Sequence, residues 1–162
     1  ESRGPYRDRI YWTCWDRANR TIYLFRSEDG GRSWAPPAVV ATGSVQNAMV
    51  AVNRNGVVGV AWYDARNDPR GYRGTFRCQH IFFTASADGG RTFLPDVRVS
   101  SAENCPDTLG NGEAGRRWVA GGDYFGLATT SDGAFRLLWT DSRDGRYQLR
   151  TATVGTEGVT AK

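Results

Sequence analysis

The octet Ser27-Glu28-Asp29-Gly30-Gly31-Arg32-Ser33-Trp34 returns further along the chain as Ser86-Ala87-Asp88-Gly89-Gly90-Arg91-Thr92-Phe93. Each copy follows a short apolar run, Ile22 to Phe25 in the first case and Ile81 to Ala85 in the second. An aspartate placed just after a strand can accept backbone N–H bonds across its own turn, and paired glycines permit the left-handed backbone angles of a sharp hairpin. The hydroxyl of Ser33 or Thr92 can bond the same turn, and Trp34 or Phe93 is expected to cap the sheet edge. A clasp of this kind pins the register of the two strands that it joins. Its presence twice in similar surroundings points to a repeated unit.

Working outward from the octets, the apolar residues fall in short runs rich in Val, Ile, Trp, Tyr and Phe, broken by Gly, Asn, Asp and Pro. Asn53-Arg54-Asn55-Gly56 and Ser131-Asp132-Gly133 each divide two such runs, which is the chemistry of a tight hairpin. Strands are predicted near residues 10–16, 20–26, 37–41, 47–53, 57–64, 79–86, 95–100, 123–130, 134–141 and 146–154, with almost no helix. A second element closes a strand in each unit: Trp15-Asp16-Arg17, Trp62-Tyr63-Asp64-Ala65-Arg66 and Trp139-Thr140-Asp141-Ser142-Arg143. Because it recurs once per unit, strand-end ion pairing is its expected role, rather than an acid and a carboxylate clamp. Two long insertions, residues 67–79 and 101–122, are rich in Gly, Pro and charge, as functional loops on a regular scaffold often are.

The unit is therefore a four-stranded antiparallel meander, with the octet joining its last two strands. The chain is expected to be one segment, residues 1–162, with units over about 1–44, 45–101 and 123–162; the first begins at its second strand and the last has no obvious fourth. Val57 to Trp62 is apolar on both faces, so sheets should stack on both sides of it. Radial stacking of four-stranded sheets is a β-propeller. The expected class is all-β, about three blades of a partial propeller; a β-sandwich is the alternative, and it accounts less well for the repeat.

Composition removes several functions. Of 162 residues 40% are hydrophobic and 12% aromatic, a globular profile. The longest apolar stretch, about Val57 to Tyr63, is far too short for a membrane helix, and nothing before Tyr6 reads as a secretory leader, so a mature segment or fragment is expected. The net charge is +4, but the arginines are dispersed, so neither nucleic acid nor membrane is an expected partner. Lys162 is the only lysine, which leaves no Schiff-base lysine in the body of the chain. His80, the only histidine, opens an apolar strand with no nucleophile elbow in the sequence, and is expected to be a strand residue. Cys14, Cys78 and Cys105 lack zinc-site spacing, so no metal or other cofactor is expected. Cys14 is expected to be a buried small hydrophobe. Cys78 and Cys105 both border long polar loops, and either a bridge or two free thiols fits them.

The octets resemble the Asp-box, or BNR repeat, of sialidase-like β-propellers, and the combination of W-x-D-x-R with S-x-D-G-G-R-T-F is similar to bacterial members of that family. The resemblance covers nearly all of the chain. It implies that Ser27, Asp29, Gly31, Trp34, Ser86, Asp88, Gly90 and Phe93 are structural, remote from any active site; a weak calcium site is the sharper alternative.

The family's chemistry uses an arginine cluster on the substrate carboxylate, an acid/base Asp, and a Tyr activated by Glu. Arginine forks hold a carboxylate bidentately, and a neutral Tyr nucleophile avoids repulsion from that anion. Gly122-Asp123-Tyr124-Phe125-Gly126-Leu127-Ala128, followed by Ser131-Asp132-Gly133, resembles the strand that carries the nucleophile. The resemblance implies Tyr124 as the catalytic residue, with Arg116, Arg117 and Asp123 binding a glycan or another carboxylate-bearing ligand. The plainer alternative is that Tyr124 packs at the channel mouth and the two arginines are solvated. Glu103 and Glu113 both lie in the long loop as possible partners of the tyrosine. The family's acid/base Asp and first arginine come from early blades that the sequence does not contain, and there is no Arg-Ile-Pro stretch. Exo-α-sialidase-type hydrolysis would therefore need further blades, and a non-catalytic structural or protein-binding propeller is the alternative. The resemblance also implies an extracellular or periplasmic location, and open blade edges imply self-association.

Overall fold

The computed structural model describes residues 6–68, 78–105 and 125–157. Ten strands run in chain order: β1 (Ile10–Asp16), β2 (Thr21–Ser27), β3 (Ala38–Thr42), β4 (Val45–Val52), β5 (Val58–Asp64), β6 (His80–Ser86), β7 (Val97–Arg98), β8 (Gly126–Thr129), β9 (Phe135–Asp141) and β10 (Gln148–Val154). They form three antiparallel sheets, β1-β2-β3, β4-β5-β6-β7 and β8-β9-β10, and there is no helix among the described residues. The sheets are the expected blades, here numbered one to three.

Blade two lies between the others, and β5 shows why. Along it, Val58, Val60 and Trp62 join Ile22 and Leu24 of blade one in one core, while Ala61 and Tyr63, with Val57 just before the strand, join Phe135 and Leu137 of blade three in another. Every residue of β5 and β6 is buried. A strand buried on both faces cannot alternate polar with apolar, which is why its sequence reads as an unbroken apolar run. Gly59 makes the closest approach: a Cβ there would lie 2.5 Å from Cε1 of Phe135, so the aromatic ring occupies the space of the missing side chain.

An antiparallel meander puts its turns alternately at two ends. The Asn53–Gly56 turn and both octets lie at one end, with the Thr130–Gly133 turn beside them. There Asn53 Oδ1 accepts the amides of Asn55 and Val57, and Asn53 Nδ2 donates to Gly133 O of blade three at 2.6 Å. Glu28 of the first octet accepts from Arg9 at 2.9 Å and from Arg91 of the second octet at 3.4 Å. The β3–β4 connector and the described bases of the two long insertions lie at the opposite end.

Three expectations need correction. β7 spans two residues rather than 95–100, because Pro95 has no N–H to donate and Asp96 turns to Arg66. Cys14 is half-buried and unpaired, not buried. Trp15-Asp16-Arg17 is not a copy of the second element: adjacent strand residues point to opposite faces, so Trp15 cannot reach Asp16 as a tryptophan two residues away can. Asp16 instead accepts from Asn19, at 3.0 Å from its N–H and 2.7 Å from its amide, and closes its own turn.

Candidate functional site

The two clasps match atom for atom. Ser27 Oγ donates to Asp29 Oδ1 at 2.8 Å and accepts from Gly31 N at 2.8 Å; Ser86 Oγ donates to Asp88 Oδ1 at 2.8 Å and accepts from Gly90 N at 2.8 Å. Asp29 then takes the N–H of Ser33 at 2.9 Å and its hydroxyl at 2.6 Å, and Asp88 takes the same groups of Thr92 at 2.9 and 2.6 Å. The Ser33 hydroxyl and amide hold the Asp29 carboxyl down at about 2. At Asp88, desolvation pushes upward, but Thr92 and Ser86 outweigh it and leave the carboxyl at about 2. Gly31 and Gly90 have φ of 92° and 81°, the region that favours glycine. Both carboxylate oxygens of Asp29 and of Asp88 are thus engaged in folding their own turns. Phe93 packs against the core between blades one and two, whereas Trp34 is exposed, against the expected cap.

At the opposite end the sequence pairs become latches. Asp64 is buried and accepts Trp62 Nε1 at 3.0 Å, together with the N–H, Nε and Nη2 of Arg66 at 2.8, 2.8 and 2.6 Å. The same guanidinium forks onto Asp96 at 3.1 and 2.9 Å and lies 4.1 Å over the Phe82 ring. Burial alone would weaken that cation, but Asp64 and Asp96 outweigh it and hold it charged. Asp141 repeats the pattern with Trp139 Nε1 at 3.0 Å and Arg143 Nη2 at 2.6 Å. Desolvation pushes the Asp141 carboxyl up, yet Arg143 and Trp139 carry it below its ordinary value. Each latch also grips the connector of the preceding blade: Ala65 N donates to Ser44 O at 2.9 Å, and Arg143 Nη1 donates to Ser101 Oγ at 2.9 Å. These pairs are structural, as their recurrence implied.

The bases of both insertions meet here. Cys78 and Cys105 form a disulfide, which settles the open pairing. Asp68 accepts the Cys78 amide at 2.9 Å and so closes the neck of the first insertion. Gln79 and Asn104 exchange backbone bonds of 2.8 and 2.9 Å. Gln46, on the innermost strand of blade two, donates to Gln79 Oε1 at 2.6 Å, and Asn104 Oδ1 accepts from Ser142 N and Oγ at 2.9 and 2.6 Å. This amide network ties blade two to blade three. Nothing local marks Gln46, Gln79 or Asn104 in the sequence, because their partners are far away along the chain. Just beyond Gln46, Asn47 has φ of 49° at a bulge in β4. Such bulges re-aim side chains, and Asn tolerates that backbone better than most residues.

His80 is a buried strand residue, as expected. Its Nδ1 lies 3.0 Å from Ser100 Oγ, and Nε2 lies 3.9 Å from Glu103. Desolvation, with Arg98 nearby, moves the ring below 6.5, so it is neutral at pH 7. Ser100 Oγ is itself buried and accepts the Ile81 amide. Tyr124, Asp123, Arg116, Arg117 and Glu113 lie outside the described residues. Phe125, the residue after Tyr124, is buried against Tyr63 with ring centroids 5.5 Å apart.

No family model and no curated protein matches the sequence. Among solved structures, the chain is similar to a protein of unknown function from Dyadobacter fermentans, with a TM-score of 0.56 and 18% identity over 92% of this chain and 35% of that one. It is also similar to the NanB sialidase from Streptococcus pneumoniae, solved in complex with 2-[(3-chlorobenzyl)ammonio]ethanesulfonate. There the TM-score is 0.55 and the identity 16% over 95% of this chain and 20% of that one. At these identities the likeness is one of fold. The chain spans about a third of the first neighbour's length and a fifth of the second's.

Proposed function

We propose that the chain is part of a sialidase-like Asp-box propeller that acts in glycan recognition, and in exo-α-sialidase-type hydrolysis when further blades close the ring. One observation carries the proposal: two matched clasps occupy one end of the blades, and the bases of two long insertions, joined by a disulfide and an amide network, occupy the other. That division gives one end the work of folding and leaves the other end to a ligand. The fold likeness to a sialidase supports the same view.

In this proposal Arg116 and Arg117 grip a sugar carboxylate and Asp123 contacts the ligand. Tyr124 precedes β8, the innermost strand of blade three, by two residues in the sequence. Its oxygen would give its proton to a glutamate, Glu103 or Glu113, and bond to the anomeric carbon as the glycosidic C–O bond breaks. The departing oxygen would take a proton from an acid on another blade, and water would then release the sugar. A location outside the cytoplasm belongs to the same proposal.

Titration calorimetry with sialyllactose tests the binding step on the chain itself. Saturable binding that is lost in Arg116→Ala and Arg117→Ala is the expected result. A fluorogenic sialoside tests the chemistry on the three blades joined to their further blades, where Tyr124→Phe should abolish turnover while binding persists. Absence of both binding and turnover would leave a structural or protein-binding propeller.

A further inference from the structure

The bases of the two insertions carry a second pattern, set by strand pairing rather than by sequence spacing. Gln79 and Asn104 form an antiparallel bridge. Their neighbours on either side therefore also stand opposite one another, Cys78 across from Cys105 and His80 across from Glu103. Side chains alternate along extended backbone, so Cys78, His80, Glu103 and Cys105 share one face, and Gln79 and Asn104 occupy the other. In the sequence, Cys78-Gln79-His80 and Glu103-Asn104-Cys105 show no zinc-site spacing. Once folded, they bring two sulfurs, an imidazole and a carboxylate together.

The distances suit a metal ion. One ligand atom from each of Cys78, Glu103 and Cys105 lies within 4.8 Å of the other two. Glu103 Oε2 is 3.7 Å from Cys105 Sγ, and Glu103 Oε1 is 3.9 Å from His80 Nε2. Tetrahedral zinc, with sulfur at about 2.3 Å and oxygen at about 2.0 Å, spaces a sulfur and an oxygen about 3.5 Å apart. His80 Nδ1 lies 3.0 Å from Ser100 Oγ, an outer partner of the kind that fixes which ring nitrogen faces a metal. The frame beneath does not rest on the disulfide. Two backbone bonds join Gln79 to Asn104, Asp68 holds the Cys78 amide, and Asn104 is anchored to Thr140 and Ser142. Cleaving the S–S bond thus leaves both sulfurs on the same frame and able to part.

We propose that the dithiol form of this pair binds Zn2+ through Cys78, Cys105 and Glu103, with His80 as the fourth ligand. Disulfide and metal are then alternative clasps on the bases of the insertions. A dithiol reductant breaks the S–S bond, is itself oxidised to a disulfide, and passes its two protons to Cys78 and Cys105. Zn2+ then displaces both protons and bonds the two thiolates. Two thiolates and an imidazole select zinc over calcium or magnesium. The inference does not depend on the glycan reading, which concerns the chain with its disulfide intact.

The full chain tests this after reduction with a water-soluble phosphine, which leaves as its oxide, and desalting without air. Titrated with Zn2+ against a chromophoric chelator, the reduced chain should take up one ion, and the oxidised chain none in the same range. Cys78→Ser and Cys105→Ser should each lose the uptake, and Cys14→Ser should keep it. Glu103→Gln and His80→Ala should weaken it at least about tenfold. Co2+ in place of Zn2+ should give the charge-transfer absorption of thiolate ligation. Zn2+ should also raise the thermal midpoint of the reduced chain, which separates a folded site from metal held by the unfolded chain. Should reduction alone cost the far-UV strand signal, Zn2+ should restore it. No uptake by the reduced parent, or uptake that survives replacement of Cys78 and Cys105 together, would overturn the proposal. So would full affinity in both Glu103→Gln and His80→Ala, or a midpoint that Zn2+ lowers.

Discussion

At the scale of single residues, the blades depend on positions where one atom decides the packing. Gly59 is the clearest. Its missing Cβ is the volume that the Phe135 ring fills, so Gly59→Ala forces ring or backbone aside at a cost of about 1–3 kcal/mol. Phe135→Leu alone leaves a void and also destabilises. Combined, the two should cost less than the sum of the single changes, as residues sharing one contact do. Urea denaturation of the four proteins measures this, and strict additivity would mean that the ring is free to move away. The clasp aspartates make a second residue-scale case, through pH. Both carboxyls sit at about 2 in the fold against an ordinary 3.8, so the folded chain binds fewer protons than the unfolded one. Their contribution is complete above pH 4 or so and is lost as the pH falls toward 2. Asp88→Asn should therefore be less stable at pH 7 and show a shallower loss of its urea midpoint between pH 5 and pH 2. Parallel profiles for parent and variant would show that the clasp carboxylate carries no such linkage.

At the scale of elements, latch and disulfide do different work. The Asp141 side chain is 1% exposed and depends on Arg143, so Arg143→Ala strands a buried charge at a cost of about 3–5 kcal/mol. Arg143→Lys should recover only part of that, since an ammonium cannot reach Asp141, Ser101 and Ala102 together. Thermal and urea unfolding of both variants read the difference, and full rescue by lysine would mean that charge alone matters. The Cys78–Cys105 bridge closes a loop of 27 residues, for which chain entropy gives about 3–4 kcal/mol. Replacing both cysteines with serine should lower the urea midpoint by a corresponding amount and remove the sensitivity to reductant. These elements also show what the sequence could reveal. The strands were legible because Val57 to Trp62 and Ile81 to Ala85 are apolar on both faces, and the clasps because all their bonding partners lie within one octet. The latches were legible as repeats, but their grip on neighbouring connectors was not, because Ser44 and Ser101 belong to other blades. Gln46, Gln79 and Asn104 carry no local sign at all. Trp15-Asp16-Arg17 misled because one missing residue reverses side-chain direction in a strand; by register, Cys14 holds the place of Trp62.

At the scale of the whole molecule, the three sheets form a short stack in which, among the described residues, only the middle one is covered on both sides. Stability in such an array is close to a sum of each unit's own stability and its contacts with neighbours, so it should not be uniform. β5 and β6 are buried along their full length and sit between two cores, and their amides should open only with global unfolding. β10 alternates half-buried with exposed residues at a sheet edge, and β1 holds the edge of blade one beside its uncovered aromatic face. Hydrogen exchange at neutral pH should therefore be slowest in β5 and β6 and faster by orders of magnitude in β1 and β10. Equal protection across all three sheets would show instead that the blades unfold as one unit, and that the middle sheet gains nothing from being enclosed.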